Sequence, residues 1–236
     1  MLIGALATDY DGTLASHGVV GPATLDALRR WKASGRALIM VTGRELPDLR
    51  RVFPEVGLFD LVVAENGALL HWPSRGETRA LAPGPPPALT QALQRLQVRP
   101  LAIGEVIVAT SSDYAEGVEA AIRDLGLDWR AILNKDSVMC LPAGIDKASG
   151  LRAALAELSL PAGEVLGVGD AENDLVFLRM CGVAAAVANA LPDVQAAADL
   201  VTEGEATEGV AWLLAEALAG RLGTESRGES RDTHAF

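Results

Sequence analysis

The chain has 236 residues, half of them hydrophobic, and a formal net charge of −11. That length can bury a proper core in one large domain or two small ones, and the composition excludes a disordered chain. The acidity argues against nucleic acid and anionic membrane surfaces as partners, so any bound phosphate must be held by a few placed donors and a cation.

Leu2 to Ala7 is a short apolar run ending at Thr8-Asp9, which reads as a fully buried parallel strand. It is too short for a signal-peptide core, and no apolar run reaches the length of a membrane span, so a cytoplasmic location is expected. Pro22 opens a helix with Ala23, Leu25, Leu28 and Trp31 at helical spacing, and Gly35 follows its end. Ala37 to Val41 is a second buried strand, Leu46 to Val52 a short helix, and Leu61 to Ala64 a third strand. Strands alternating with helices predict a parallel sheet with right-handed crossovers.

The character changes near His71, where Pro73, Gly76, Pro83, Gly84 and Pro85-Pro86-Pro87 punctuate the chain. The pattern then predicts a strand near Thr78 to Ala82, a helix from Ala88 to Gln97, a strand at Val106 to Ala109 and a helix from Asp113 to Leu125. Two strands follow, Trp129 to Leu133 and Val138 to Leu141, joined by a turn-rich stretch. This reads as a small α+β insert with its own sheet, over residues 73–144. The first pattern resumes with a helix from Lys147 to Leu158 and a strand from Val165 to Val168. A helix from Asn173 to Met180 and a strand from Val183 to Val187 come next. Then follow a helix from Pro192 to Ala198, a short edge strand from Asp199 to Thr202 and a last helix from Thr207 to Ala219. Residues 1–72 and 145–220 thus form the core, and 221–236 read as a disordered polar tail. Cys140 and Cys181, both in apolar surroundings, read as buried free thiols, and no CxxC pair suggests zinc.

Polar clusters fall at the carboxyl ends of the parallel strands, where open sheets bind ligands. Asp9-Tyr10-Asp11-Gly12-Thr13 sets two carboxylates two residues apart. They suit either a nucleophile with a proton carrier, Gly12 turning backbone N–H groups toward an anion, or a turn capped by aspartates. Thr42-Gly43-Arg44 is either an anion contact or a helix cap. Lys147 is one of three lysines in the chain and starts a helix. Gly169-Asp170-Ala171-Glu172-Asn173-Asp174 holds three acids within five residues. That exceeds what a helix cap needs, and a divalent cation explains it better. Two like charges at about 4 Å cost roughly 4 kcal/mol at an effective dielectric near 20. Mg²⁺ and one lysine would offset that repulsion around a phosphate dianion.

These motifs, in this order, resemble the haloacid dehalogenase superfamily, subfamily IIB, over nearly the whole chain to about Gly220. Ala64-Glu65-Asn66-Gly67-Ala68 and Val187-Ala188-Asn189-Ala190 are similar to that subfamily as well. The resemblance implies a Rossmann-like α/β core with helices on both faces and a small inserted α+β cap. It implies a magnesium-dependent phosphatase acting on a small phosphate monoester, such as a sugar phosphate or phosphoglycolate, through a phospho-aspartyl intermediate. Asp9 would be the nucleophile and a Mg²⁺ ligand. Asp11 would be the general acid and then base, with its carbonyl on the metal. Gly12, Thr42, Gly43 and Lys147 would hold the phosphoryl group. Asp170 would bind Mg²⁺ with Asp174 beside it, on the metal or just behind its ligands. Asn66 and Asn173 would contact phosphate or substrate, and Arg44 would either join them or brace the loop. Two alternatives stand beside it: a phosphomutase of the same superfamily, and a non-catalytic binding protein on the same scaffold. Oligomeric state is left open.

Overall fold

A computed structural model describes residues 3–134 and 136–222. Most of the tail expected to be disordered, 223–236, and the first residue of the expected opening strand, Leu2, lie outside the described residues.

The chain runs β1 (Ala5–Thr8), α1 (Pro22–Ala33), β2 (Ala37–Val41), α2 (Leu46–Val52), β3 (Leu61–Ala64), β4 (Leu69–Trp72) and β5 (Glu77–Ala80). It continues with α3 (Pro87–Arg95), β6 (Leu101–Ile103), β7 (Val108–Ser111), α4 (Ala115–Asp124), β8 (Trp129–Asn134) and β9 (Ser137–Pro142). It closes with α5 (Lys147–Leu158), β10 (Val165–Gly169), α6 (Leu175–Leu178), β11 (Val183–Ala186), α7 (Pro192–Ala197), β12 (Leu200–Val201) and α8 (Ala206–Leu218).

Eight strands form one sheet in the order β12-β11-β10-β1-β2-β3-β4-β5, and four form a second in the order β6-β7-β9-β8. From β12 to β3 the large sheet is parallel, as the alternation of elements predicts, and β4 and β5 add to it antiparallel. β1 and β3 are buried at every position, which accounts for their continuous apolar runs. Proline opens α1, α2, α3 and α7, where its missing N–H costs nothing. The expected helix from Asn173 divides into a 3₁₀ turn, Glu172–Asp174, and the single turn of α6. Cys140 and Cys181 are both buried, the Cys181 thiol donating to the Phe177 carbonyl at 3.2 Å.

The strand expected near Thr78 inside the insert pairs instead with β4 in the large sheet, Thr78 lying opposite His71. Its residues are exposed on both faces, so no burial pattern marks which sheet it joins. The strand expected from Val106 starts two residues later, at Val108, because Val106 and Ile107 leave the ladder and pack into the large core. β6 escapes the sequence pattern, being three residues long and only partly covered.

β9 shows how the two sheets share a core. Side chains alternate across a strand. Val138 and Cys140 face a small core with Leu89 and Leu93 of α3 and Val118 and Ile122 of α4. Met139 and Leu141, on the other face, join the core of the large sheet. Among the described residues no helix is long and apolar enough to cross a membrane.

Candidate active site

The carboxyl ends of β1, β2, β3 and β10 converge. Asp9 directly follows β1 and is 5% exposed. Its N–H donates to the Val168 carbonyl at 3.0 Å, so the neighbouring strand fixes its backbone. Gly12 takes φ +84°, a left-handed turn that suits glycine, and the Asn189 side chain donates to its carbonyl at 2.8 Å. Thr13, fully buried, donates to Asp170 Oδ1 at 2.8 Å.

Asp146 caps α5, its side chain accepting from the Ser149 N–H at 2.8 Å while Ser149 Oγ accepts from the Asp146 N–H at 2.9 Å. This box fixes the first turn of the helix and with it Lys147. Lys147 Nζ donates to Asp9 Oδ1 at 2.6 Å and to Asp174 Oδ1 at 2.5 Å. The other Asp174 oxygen accepts from the N–H groups of Asp170 and Ala171 at 2.9 and 3.0 Å. Asp9, Asp170 and Asp174 are all buried, and one carboxylate oxygen of each lies within 4.8 Å of the others.

The electrostatics follow from burial. Desolvation pushes the Asp9 carboxyl well above the usual carboxylate range, against the pull of Lys147 and with Asp174 and Asp170 adding to the rise. Lys147 would lose charge on burial, but Asp174 and Asp9 outweigh that and hold it above its ordinary value. Three buried carboxylates around one ammonium leave an excess of negative charge. An all-oxygen set of this kind fits a hard divalent cation.

Asp11 lies apart from this cluster, its side chain 47% exposed. Arg44 grips it with two bonds, Nε to Oδ2 at 2.6 Å and Nη2 to Oδ1 at 2.7 Å, while Nη1 bonds Asp48. Arg44, expected at the phosphate or bracing the loop, therefore spends its guanidinium on two carboxylates. Thr42 is buried, with Oγ1 accepting from the Arg44 N–H at 3.1 Å. Asn173 Nδ2 donates to Asn66 Oδ1 at 3.0 Å. Asn66 Nδ2 and Asn173 Oδ1 are buried and find no partner among the described residues, a donor and an acceptor left over at one place.

A cavity of about 310 Å³ opens on this group. Its floor includes Asp9, Asp11, Gly43 and Asn173, and its roof Asn134, Asp136, Ser137 and Met139 of the small sheet. The Met139 Cε stands 2.8 Å from where a Cβ on Gly43 would be, so the methionine lies directly over the Gly43 backbone. The expected residues are thus brought together, with Asp11 and Arg44 lining the same cavity as Asp9 and Asn173. The roof residues, Thr13 and Asn189 were missed as site residues. Thr13 and Asn189 stood inside motifs already noted, whereas the roof residues carried no local signal.

The family model described as haloacid dehalogenase-like hydrolase matches residues 6–80 and 103–214. The chain is 30% identical over 230 residues to phosphoglycolate phosphatase 2 of Saccharolobus solfataricus, covering 93% of this chain and 94% of that one. It is 30% identical over 215 residues to the phosphoglycolate phosphatase of Methanothermobacter thermautotrophicus, covering 88% and 95%. Among solved structures, a Thermoplasma acidophilum protein matches with a TM-score of 0.76 at 18% identity, covering 92% of this chain and 98% of that one. A HAD subclass IIB sugar phosphatase matches with a TM-score of 0.73 at 19% identity, covering 92% and 99%.

Proposed function

The chain belongs to the haloacid dehalogenase-like hydrolases, and from that premise we propose that it is a subfamily IIB member that hydrolyses a small phosphate monoester through an aspartyl phosphate on Asp9. The observation that carries this reading is the buried Lys147 bridging Asp174 and Asp9, the last of which lines the cavity. A structural ion pair has no need of two further buried acids beside an open pocket.

An Asp9 carboxylate oxygen attacks phosphorus in line while the bond to the leaving oxygen breaks. Asp11 gives its proton to that oxygen. Asp11 then takes a proton from the water that attacks the aspartyl phosphate, and inorganic phosphate leaves. Both Asp11 oxygens accept bonds from Arg44 in this structure, so proton donation requires Arg44 to withdraw toward Asp48. Thr42, the Gly43 and Gly12 backbone and Lys147 position the phosphoryl oxygens. The Asn66 and Asn173 amides offer the donor and acceptor that the fold leaves without partners. Positioning and charge stabilisation do most of the work in phosphoryl transfer.

Mg²⁺ fits the acidic cluster. Asp9 and Asp170 would hold it together with the Asp11 carbonyl. Asp174, whose two oxygens are engaged by Lys147 and backbone N–H groups, would orient them. Bound there, the ion supplies positive charge to the carboxylates and the phosphoryl oxygens. The reading places the enzyme in the cytoplasm, acting on a phosphorylated metabolite. The insert 73–144, apart from β5 at the edge of the core sheet, acts as the cap over the site.

The test is phosphate release from a panel of monoesters, with and without Mg²⁺. Phosphoglycolate comes first because the curated relatives are named for it, and sugar phosphates follow. Mg²⁺-dependent release is expected. A folded protein that releases phosphate from none of them with Mg²⁺ present would overturn the reading.

A further inference from the structure

Glu65 is a buried carboxylate that this mechanism does not use. It is 1% exposed, follows β3, and takes φ +51°. Its side chain accepts three backbone N–H groups from one turn of the small sheet. Oε1 receives Glu105 at 2.8 Å, and Oε2 receives Val106 at 2.7 Å and Ile107 at 2.9 Å. Burying a carboxylate is costly, and charge-assisted bonds of this kind are what offset it. Val106 and Ile107 are themselves buried in the large core, although they lie between β6 and β7.

The two residues that follow are tied elsewhere. Asn66, also left-handed at φ +55°, bonds Asn173 and keeps its unpaired donor. Gly67 sits so close to α5 that a Cβ there would stand 1.9 Å from the Asp146 carbonyl oxygen, next to Lys147. Three consecutive residues thus hold three different parts: the small sheet, the Asn173 turn, and the start of the lysine helix. The left-handed pair carries strain that such ties over-determine.

We propose that Glu65 is a positioning residue. It pins the 105–107 turn of the small sheet to the catalytic loop. Through that pin it keeps Asn134 and Met139 roofing Asp9, and it keeps the Asn66 amide beside Asn173. The kinetic consequence rests on the phosphatase reading, while the pin rests on geometry alone.

The test is Glu65→Gln, which keeps the shape but sets an amide NH₂ against a backbone N–H. Amide exchange at Glu105, Val106 and Ile107 should speed up by about tenfold or more, while exchange in β1 stays as in the wild type. The kcat/KM for an alkyl phosphate should fall about 30-fold. For p-nitrophenyl phosphate, whose leaving group needs little help from the roof or the general acid, it should fall only about threefold. A purely structural role lowers both substrates equally. Equal losses, or unchanged exchange at 105–107, overturn the proposal. If Glu65→Gln does not fold, Glu65→Asp shortens the reach by one methylene and carries the same two readouts. A wild type that hydrolyses neither ester removes the phosphatase reading, and the exchange result then decides the pin by itself.

Discussion

Among the described residues, the buried charged groups Asp9, Lys147, Asp170 and Asp174 stand at the strand ends of the large sheet, with Glu65 just past β3 and His71 further along β4, opposite Val62. The small sheet buries Val108, Val138 and Cys140 against α3 and α4, and its buried polar residue is Thr110. The first region is held by directional bonds among charges, the second by apolar contact around a few side chains. Groups that must be placed to a fraction of an ångström sit where bonds over-determine them.

The contrast breaks first at Asp9. Asp9→Asn should lower phosphate release on the order of 10⁴-fold or more while the protein melts as cooperatively as the wild type. Substantial residual turnover would mean that the buried charge is structural after all. Next comes Lys147→Met, which leaves two buried carboxylates without their shared cation. A loss of about 3–5 kcal/mol is expected from urea titration, with part of it recovered on adding Mg²⁺.

On the apolar side, Leu93→Ala should cost about 3 kcal/mol. Faster amide exchange should stay within α3, α4 and the small sheet, and spread into β1 would show that the two regions unfold as one. The smallest effect is expected at His71. Its Nε2 meets Arg50 at 3.0 Å and its Nδ1 meets the Glu77 carbonyl at 2.6 Å. Burial holds its pKa below the ordinary 6.5, with Arg50 adding to the drop. The unfolded chain then takes up the proton more readily. Its contribution to stability is therefore full above pH 6.5 and lost as pH falls below it. His71→Asn should flatten the pH dependence of stability in that window and leave Lys147 in place.

The same contrast governs what could be read from the sequence. β1, β2, β3 and β10 announce themselves as apolar runs ending in polar motifs, because burial on both faces leaves no alternation to misread. Asp9, Lys147, Asp170 and Asp174 were legible for the same reason, since each lies within a few residues of such a strand end or helix start. The bonds of Arg44 to Asp11 and Asp48 were not legible, because they depend on side-chain directions that spacing does not encode. Glu65 stood in a noted segment, but its partners Glu105, Val106 and Ile107 lie some 40 residues on, in an element whose register the pattern missed. β5 was assigned to the wrong sheet because an exposed edge strand carries no core pattern.

The strand order has a consequence for the order of synthesis. β1 lies between β2 and β10, so a strand made early waits for one made much later. Thr13 meets Asp170 across 157 residues, and Lys147 meets Asp9 across 138. A growing chain therefore exposes one edge of its central strand through most of translation, and contacts of such range form slowly. Until β10 emerges, Asp9 has no walled pocket, and a partly made enzyme is a loose acid rather than a premature catalyst.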